Sequence, residues 1–251
     1  MSFKTFAITM CAIAGILSGC KPKAEQQYEP TDDVFTSGKT TIRMYCIKHG
    51  SIRMMINDKW LYVDPVTKAA QPETDYTQLP KADFILVTHE HFDHVDTLAL
   101  AQLAKDGTQV IANRNSHDII GYGDVMANGD EMAFGNGWKI EAVPAYNISE
   151  GKQQFHPQGR DNGYILTIDG FRIYIAGDTE DIPEMENIKN IDVAFLPCNQ
   201  PFTMTPEQIA KVANIIKPKV LFPYHYGNTD IQQVVTLLEG TGIDVRIRQY
   251  Q

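Results

Sequence analysis

The chain has 251 residues, of which 43% are hydrophobic and 21% are charged. This composition excludes a collagen-like or wholly disordered protein, and the length is sufficient for one large domain or two small ones. The 22 basic and 31 acidic residues give a formal net charge of -9, which argues against binding to the phosphate backbone of a nucleic acid.

The first 20 residues are typical of an export signal. Lys4 precedes an apolar stretch over residues 6–17, which is too short to span a bilayer comfortably, and small residues follow it. Residues 17–20 read Leu-Ser-Gly-Cys and resemble the bacterial lipobox. That resemblance implies a signal peptide over residues 1–19, lipidation of Cys20, and a lipoprotein anchored at the periplasmic face or outer membrane of a bacterium. An ordinary secretory signal or membrane anchor is the alternative.

Residues 20–38 carry Pro, Gln, Ser, Gly and charge with little apolar content, which predicts a flexible tether. The remaining residues, 39–251, are predicted to form one domain of short strands and a few helices. The predicted strands are 41–47, 51–56, 60–63, 84–88, 109–112, 139–144, 164–168, 171–175, 193–196 and 220–223. The predicted helices are 97–104, 206–216 after an N-cap at Thr205, and a helix that Asp230 caps and that ends at Leu238.

A dense cluster of histidines follows the predicted buried strand 84–88. The sequence there is His89-Glu90-His91-Phe92-Asp93-His94. In an extended turn, residues two apart point the same way, so His89 and His91 can share one metal ion, while Asp93 and His94 can reach a second ion beside it. The alternative is a solvated surface cluster that holds no metal.

This His-x-His-x-Asp-His pattern resembles the hallmark of the metallo-β-lactamase-fold hydrolases. The resemblance implies an α/β fold, the four-layer αβ/βα sandwich, with two mixed sheets face to face and helices outside. It also implies three further site residues, each in a matching sequence context. Asp178 matches the carboxylate that bridges two metals, His225 matches the final histidine ligand, and Asp64 matches the acidic residue that supports a ligand histidine from behind.

One ligand position departs from the family pattern. The family places a histidine after the strand that corresponds to residues 139–144, whereas this chain has Ala145-Tyr146-Asn147 there. Members that resemble ascorbate-6-phosphate lactonase and the phosphodiesterases carry an Ala-Tyr-Asn segment followed by His-Pro, as this chain does at His156-Pro157. We therefore expect His156 to complete the metal site and Asn147 to line the pocket, with Asn147 in place of His156 as the alternative.

The resemblance implies two divalent ions, Zn²⁺ before Mn²⁺ or Fe²⁺, that share a nucleophilic hydroxide. In this hypothesis Asp93 and Asp178 are the catalytic residues. The residues predicted to meet the substrate are His49, Tyr146, Asn147 and Tyr226.

The sequence thus favours a metal-dependent hydrolase of a small lactone, ester or phosphodiester. Its expected partners are a small-molecule substrate and, through the lipid anchor, a membrane, but no nucleic acid. A metallo-β-lactamase and a catalytically silent binding lipoprotein of the same fold are the alternatives. The intact ligand set argues against the silent protein, because buried charges without a function are costly.

Overall fold

The computed structural model describes residues 33–135 and 137–250. The predicted signal peptide, the predicted lipidation site at Cys20 and most of the predicted tether lie outside these residues. Within the described part of the chain, no helix is both long enough and apolar enough to cross a membrane.

The first half of the domain forms a seven-stranded sheet whose strands lie side by side in chain order. These strands are β1 (Val34–Ser37), β2 (Thr40–Lys48), β3 (Ser51–Ile56), β4 (Lys59–Val63), β5 (Phe84–Val87), β6 (Gln109–Ala112) and β7 (Asp124–Val125). The pairs from β1 to β4 are antiparallel, and those from β4 to β7 are parallel. The predicted turn between β3 and β4 is present, with Asn57 at a φ of 54°.

The second half forms another seven-stranded sheet with the same arrangement. Its strands are β8 (Glu131–Phe134), β9 (Trp138–Ala145), β10 (Asp161–Ile168), β11 (Phe171–Ile175), β12 (Val193–Pro197), β13 (Val220–Tyr224) and β14 (Asp244–Val245). The pairs from β8 to β11 are antiparallel, and those from β11 to β14 are parallel. Asp169 and Gly170, with φ values of 49° and 85°, make the predicted tight turn between β10 and β11.

The helices are α1 (Thr97–Leu103), α2 (Arg114–Ile120), α3 (Pro206–Ile216) and α4 (Gln232–Leu237). The predicted start of α3 is confirmed, because the Thr205 hydroxyl accepts from the Gln208 backbone N–H and the Gln208 side chain accepts from the Thr205 N–H. Helix α4 is shorter than predicted, and Asp230 still accepts from the Gln232 N–H just before it. Helix α2 and the strands β1, β7, β8 and β14 were not predicted from the sequence.

The core identifies the layers of the domain. Inward-facing side chains of the two sheets, such as Leu86 and Leu166, belong to one buried cluster, which also includes Ile209 of α3. The other face of the first sheet packs on α1 through residues such as Ile85 and Leu100. Two mixed sheets lie face to face between helices, and the predicted αβ/βα sandwich is confirmed.

The domain begins earlier than the predicted boundary at residue 39. Strand β1 lies within the predicted tether, where it pairs with β2, and Phe35 packs against Phe171 with ring centroids 5.4 Å apart. The buried Asp33 carboxylate accepts hydrogen bonds from Arg246 and Arg248 near the other end of the chain. The prediction of a flexible tether was therefore wrong for residues 33–38, because a low apolar content does not exclude an edge strand held by backbone pairing and ion pairs.

Candidate metal centre

The predicted ligands follow the carboxyl ends of strands that pair in parallel. Asp64 follows β4, residues 88–94 follow β5, Asp178 follows β11, and His225 follows β13. Parallel strands end at one edge of a sheet, and this edge is where α/β proteins commonly build their sites. Both sheets contribute, so the site forms at one edge of the sandwich.

Three histidines form the first set of candidate ligands, which we call the three-histidine group: His89, His91 and His156. One ring nitrogen from each lies within 4.8 Å of the others. His89 Nε2 is 3.1 Å from His91 Nδ1, and the rings of His91 and His156 have centroids 4.9 Å apart. The structure thus brings together the two histidines after β5 and the histidine of the loop between β9 and β10, as predicted.

A second set, which we call the Asp93 group, consists of His49, Asp93, His94 and His225, again with ligand atoms within 4.8 Å of one another. His94 Nε2 lies 3.1 Å from His225 Nε2, and His225 Nε2 lies 3.6 Å from Asp93 Oδ2. His49 Nε2 lies 3.0 Å from the same Asp93 oxygen. The predicted second site is therefore assembled, and His49 joins it.

Asp178 lies between the two groups. Its Oδ2 is 3.4 Å from His156 Nε2 and 3.5 Å from His225 Nε2, and its Oδ1 is 3.4 Å from His94 Nε2. One carboxylate thus faces ligand nitrogens of both groups. This position matches the bridging role that the sequence resemblance implies for Asp178.

Hydrogen bonding inside the site is incomplete without a cation. His156 Nε2 and Asp178 Oδ1 are buried and have no hydrogen-bond partner. Buried polar atoms are nearly always paired, so an unpaired nitrogen and an unpaired oxygen that lie among candidate ligands fit bound metal. The donors are imidazole nitrogens and carboxylate oxygens without a thiolate, a set that suits Zn²⁺ and accommodates Mn²⁺ or Fe²⁺. The residues present therefore fit the binding of divalent metal.

The electrostatics of the site agree with this fit. Burial lowers the pKa of His89 well below its ordinary value and that of His156 to about 4, which keeps both imidazoles in the neutral, metal-binding form. Burial alone would raise the pKa of Asp178, but His225 and His94 hold it well below the usual range. Burial would lower the pKa of His94, but Asp178 and Asp64 outweigh it and raise that pKa. Positive charge is therefore favoured at the centre of the site.

Asp64 supports His94 from behind, as the resemblance implies. Its Oδ2 lies 2.8 Å from His94 Nδ1 and accepts from the Thr88 hydroxyl at 2.7 Å, while its Oδ1 accepts from the Thr88 N–H at 2.8 Å. With Nδ1 donating to Asp64, the lone pair of His94 Nε2 is available to a cation. The sequence analysis did not identify Thr88 as part of this support.

Asn147 supports His156 from behind, as Asp64 supports His94. Its Oδ1 lies 3.0 Å from His156 Nδ1, and its side-chain amide donates to the Phe202 carbonyl at 2.7 Å. This arrangement favours His156 as the ligand through Nε2, with Asn147 behind it. Asn147 does not line the pocket, contrary to the prediction, because both ends of its amide are engaged. The same loop is fixed by the buried Glu180, which accepts from the N–H groups of Ile148 and Ser149 at 2.8 and 2.7 Å.

The turn between β2 and β3 packs directly on the Asp93 group. The His49 ring stacks on His225 with a centroid distance of 3.6 Å, and the His49 carbonyl accepts from the His225 N–H. The following residue, Gly50, leaves no room for a side chain, because a Cβ there would lie 2.9 Å from His94 Cε1. His49, predicted to meet the substrate, therefore contacts Asp93 and His225 instead of lining the pocket.

The predicted substrate contacts of Tyr146 and Tyr226 are not supported. The Tyr146 hydroxyl donates to Glu184 at 2.9 Å, and the Tyr226 hydroxyl donates to the Arg248 carbonyl at 2.7 Å. Both rings are buried, and neither lines the pocket. The prediction was wrong because nearness in sequence to a ligand does not determine which way a side chain points.

A pocket of about 280 Å³ opens onto the two groups. Its lining includes the ligands His91, Asp93, His156, Asp178 and His225. The other lining residues are Phe92, Phe155, Asn199 and Phe202, none of which was predicted as a site residue. Only Phe92, which lies within the histidine motif, carried a sequence signal that could have identified it.

Comparison with known proteins gives a consistent result. Residues 43–225 match a family model described as a β-lactamase superfamily domain. A UPF0173 metal-dependent hydrolase of Anoxybacillus flavithermus is 33% identical over 216 residues, which cover 79% of this chain and 94% of that protein. One from Thermococcus onnurineus is 35% identical over 192 residues, which cover 70% of this chain and 78% of that protein.

Solved structures agree with the sequence relatives. A protein from Parabacteroides distasonis, named as a metal-dependent hydrolase, is 51% identical with a TM-score of 0.84, covering 87% of this chain and 98% of that one. Igni18, a metallo hydrolase of Ignicoccus hospitalis, has a TM-score of 0.67 at 22% identity, covering 83% of this chain and 95% of that one, and shares the fold.

Proposed function

Because the chain belongs to the UPF0173 metal-dependent hydrolases of the metallo-β-lactamase superfamily, we propose that it is a dinuclear enzyme that cleaves a small ester, lactone or phosphodiester. The observation that carries the proposal is the position of Asp178, whose carboxylate faces His156 on one side and His94 and His225 on the other. A site for a single ion would not need a carboxylate between two complete sets of ligands.

When bound, divalent cations would supply a water whose pKa is lowered from 15.7 towards roughly 7 and would polarise the bond to be cleaved. The three-histidine group would hold one of them, and Asp93, His94 and His225 the other, with Asp178 between. Asp64 and Asn147 keep the correct nitrogens of His94 and His156 directed inwards.

Asp93 is the ligand suited to handle a proton. Its side chain is 22% exposed and lines the pocket, whereas that of Asp178 is only 4% exposed. Burial alone would raise the pKa of Asp93, but hydrogen bonds from His225 and His49 keep it well below the usual value. The carboxylate is thus ionised, and its Oδ2 has His49 Nε2 at 3.0 Å as a neighbour that can share a proton passing to the leaving group.

We further propose that the enzyme lies outside the cytoplasm and is held at a membrane by a lipid attached to Cys20. The support is the signal-like sequence of residues 1–20 and its Leu-Ser-Gly-Cys ending. Mass spectrometry of the protein from a bacterial membrane fraction tests this, because an acylated N-terminal Cys20 supports the anchor and an unmodified or differently cleaved chain contradicts it.

The function is tested on purified protein by metal content per chain and by hydrolysis of phenyl acetate, a simple lactone and bis-para-nitrophenyl phosphate. We expect about two metals and turnover that a chelator abolishes. Asp93→Asn should lower turnover by about 10²–10⁴-fold, whereas Asp118→Asn, at a side chain 63% exposed on α2, should not change it. An apoprotein that takes up no zinc, or an active Asp93→Asn variant, would refute the proposal, and faster turnover of nitrocefin would favour a β-lactamase.

A further inference from the structure

The entrance of the metal pocket is built from aromatic rings. Phe92, Phe155 and Phe202 line it, and they come from three separate segments: the histidine motif, the loop between β9 and β10, and the loop after β12. The rings of Phe155 and Phe202 meet edge to face with centroids 5.0 Å apart. Phe92 is 77% exposed and Phe202 is 41% exposed, so both rings face solvent at the mouth of the site.

Phe92 and Phe202 are exposed and Phe155 is half-buried, and an exposed apolar cluster of this kind commonly marks a binding site. Here they line the pocket that also contains His91, Asp93 and His225. Their position beside the reacting centre indicates that they contact the part of a substrate next to the bond that is cleaved.

The polar lining of the pocket is sparse. Apart from the ligand side chains, Asn199 is the one polar residue among the described residues that line it. The nearby Arg160 pairs with Asp161 and Glu90, and Lys152 pairs with Glu180, so these cations already have anionic partners. A substrate with several phosphate charges would therefore find no cationic side chain in the lining.

The volume of the pocket limits the size of the substrate group that it can hold. A cavity of about 150 Å³ accommodates benzene, and this pocket measures about 280 Å³. It therefore has room for one phenyl ring or a short alkyl chain together with a carboxyl-sized reacting group.

We propose that Phe92, Phe155 and Phe202 select substrates whose group beside the cleaved bond is apolar, namely aryl or short-chain alkyl esters and lactones. This inference rests on the proposed function and narrows its substrate class. Full burial of a methylene contributes about 0.8 kcal/mol, which corresponds to about fourfold in affinity for each added carbon.

The test measures binding of product-like acids to purified, zinc-loaded protein by isothermal titration calorimetry. The probes are acetate, butyrate, hexanoate and inorganic phosphate. We expect the affinity to rise from acetate to hexanoate by at least tenfold, with phosphate no tighter than acetate. The reacting carboxylate is the same in all three acids, so the rise isolates the contact with the apolar chain.

Variants identify the residues responsible. Phe202→Ala and Phe92→Ala should reduce the gain in affinity from acetate to hexanoate, because each removes an apolar ring that the longer chains contact. Both side chains are exposed enough for the fold to tolerate the change. Leu237→Ala, which removes a 45% exposed side chain on α4, is the matched control and should leave the series unchanged.

The outcomes separate this inference from the proposed function. A flat series, tighter binding of phosphate, or a series unchanged by both Phe variants overturns the inference in a protein that still holds two zinc ions. Failure of the protein to take up zinc overturns the proposed function itself, and the inference with it.

Discussion

Replacement of Asp64 by Asn tests how the site orients its ligands. The Asp64 carboxylate accepts three hydrogen bonds, from the Thr88 N–H, the Thr88 hydroxyl and His94 Nδ1. Asn has one side-chain oxygen, so an amide that still accepts from the Thr88 N–H presents its NH₂ to the Nδ1–H of His94. His94 must then rotate or shift its proton to Nε2, and either change withdraws the nitrogen that faces the cation.

Loss of such a supporting partner commonly costs 10–100-fold in metal affinity, or about 1.4–2.7 kcal/mol. We expect the loss at the ion held by the Asp93 group, whereas the three-histidine group has its own support in Asn147. At limiting zinc, Asp64→Asn should therefore hold about one ion per chain instead of about two. Competition with a chromophoric chelator gives both affinities, and circular dichroism checks the fold.

Asp169→Asn provides the matched control. Asp64 and Asp169 both have a left-handed backbone, with φ values of 44° and 49°, and Asn adopts this conformation readily. Asp169 lies in the turn between β10 and β11 and accepts from Thr40, away from the ligands. Unchanged zinc affinity in Asp64→Asn, or an equal loss in Asp169→Asn, would refute the argument that Asp64 acts through His94.

Three further predictions follow from the same geometry. His156→Ala should lower the metal content to about one ion per chain by plasma mass spectrometry, and full occupancy would show that another group completes the site. Gly50→Ala should weaken zinc binding, measured by chelator competition, because its Cβ would lie 2.9 Å from His94; an unchanged affinity would mean that this turn yields freely. Burial raises the pKa of Cys46 and Cys198 to about 12, so at pH 8 each thiolate should be about a thousandfold scarcer than for the ordinary pKa of 9.0. Iodoacetamide should then label both slowly until urea unfolds the chain, and rapid labelling of the folded protein would contradict the burial of these thiols.

Much of the fold could be predicted because the local signals agree with the final structure. The Asp169-Gly170 turn, the Thr205 cap and the apolar runs of the central strands each specify one conformation on short-range grounds. The missed strands β1, β7, β8 and β14 are short edge or near-edge strands. β1 and β8 are four-residue strands paired with the strand that follows, and β7 and β14 pair over two residues each, so these runs are too short to show a clear apolar pattern. At β1, the ion pairs of Asp33 with Arg246 and Arg248 add contacts that are distant in sequence.

Some residues of the candidate site could likewise be predicted from the sequence, and others could not. Most of the predicted ligands could be found because they follow strands whose ends lie at the common edge, and a histidine or aspartate there carries its own chemical signal. His156 lies within the loop between β9 and β10 and could be found only through the family resemblance. The contacts of His49 could not be found, because only the packing of the turn between β2 and β3 places its ring on His225. Tyr146 and Tyr226 show the converse, since both have the residue type and sequence position expected of the site but donate to Glu184 and to the Arg248 carbonyl.

Both sheets contribute candidate ligands, so metal binding should affect the stability of their packing. Asp93 and His94 come from the first sheet, whereas Asp178 and His225 come from the second. A cation bound by both can therefore form its full set of bonds only when the sheets are packed against each other. Because the unfolded chain has no such site, binding favours the packed state by about 2.7 kcal/mol at a free metal concentration one hundred times the Kd. Removal of the cation should therefore lower the free energy of unfolding, because the bonds that the cation forms with ligands from both sheets are lost.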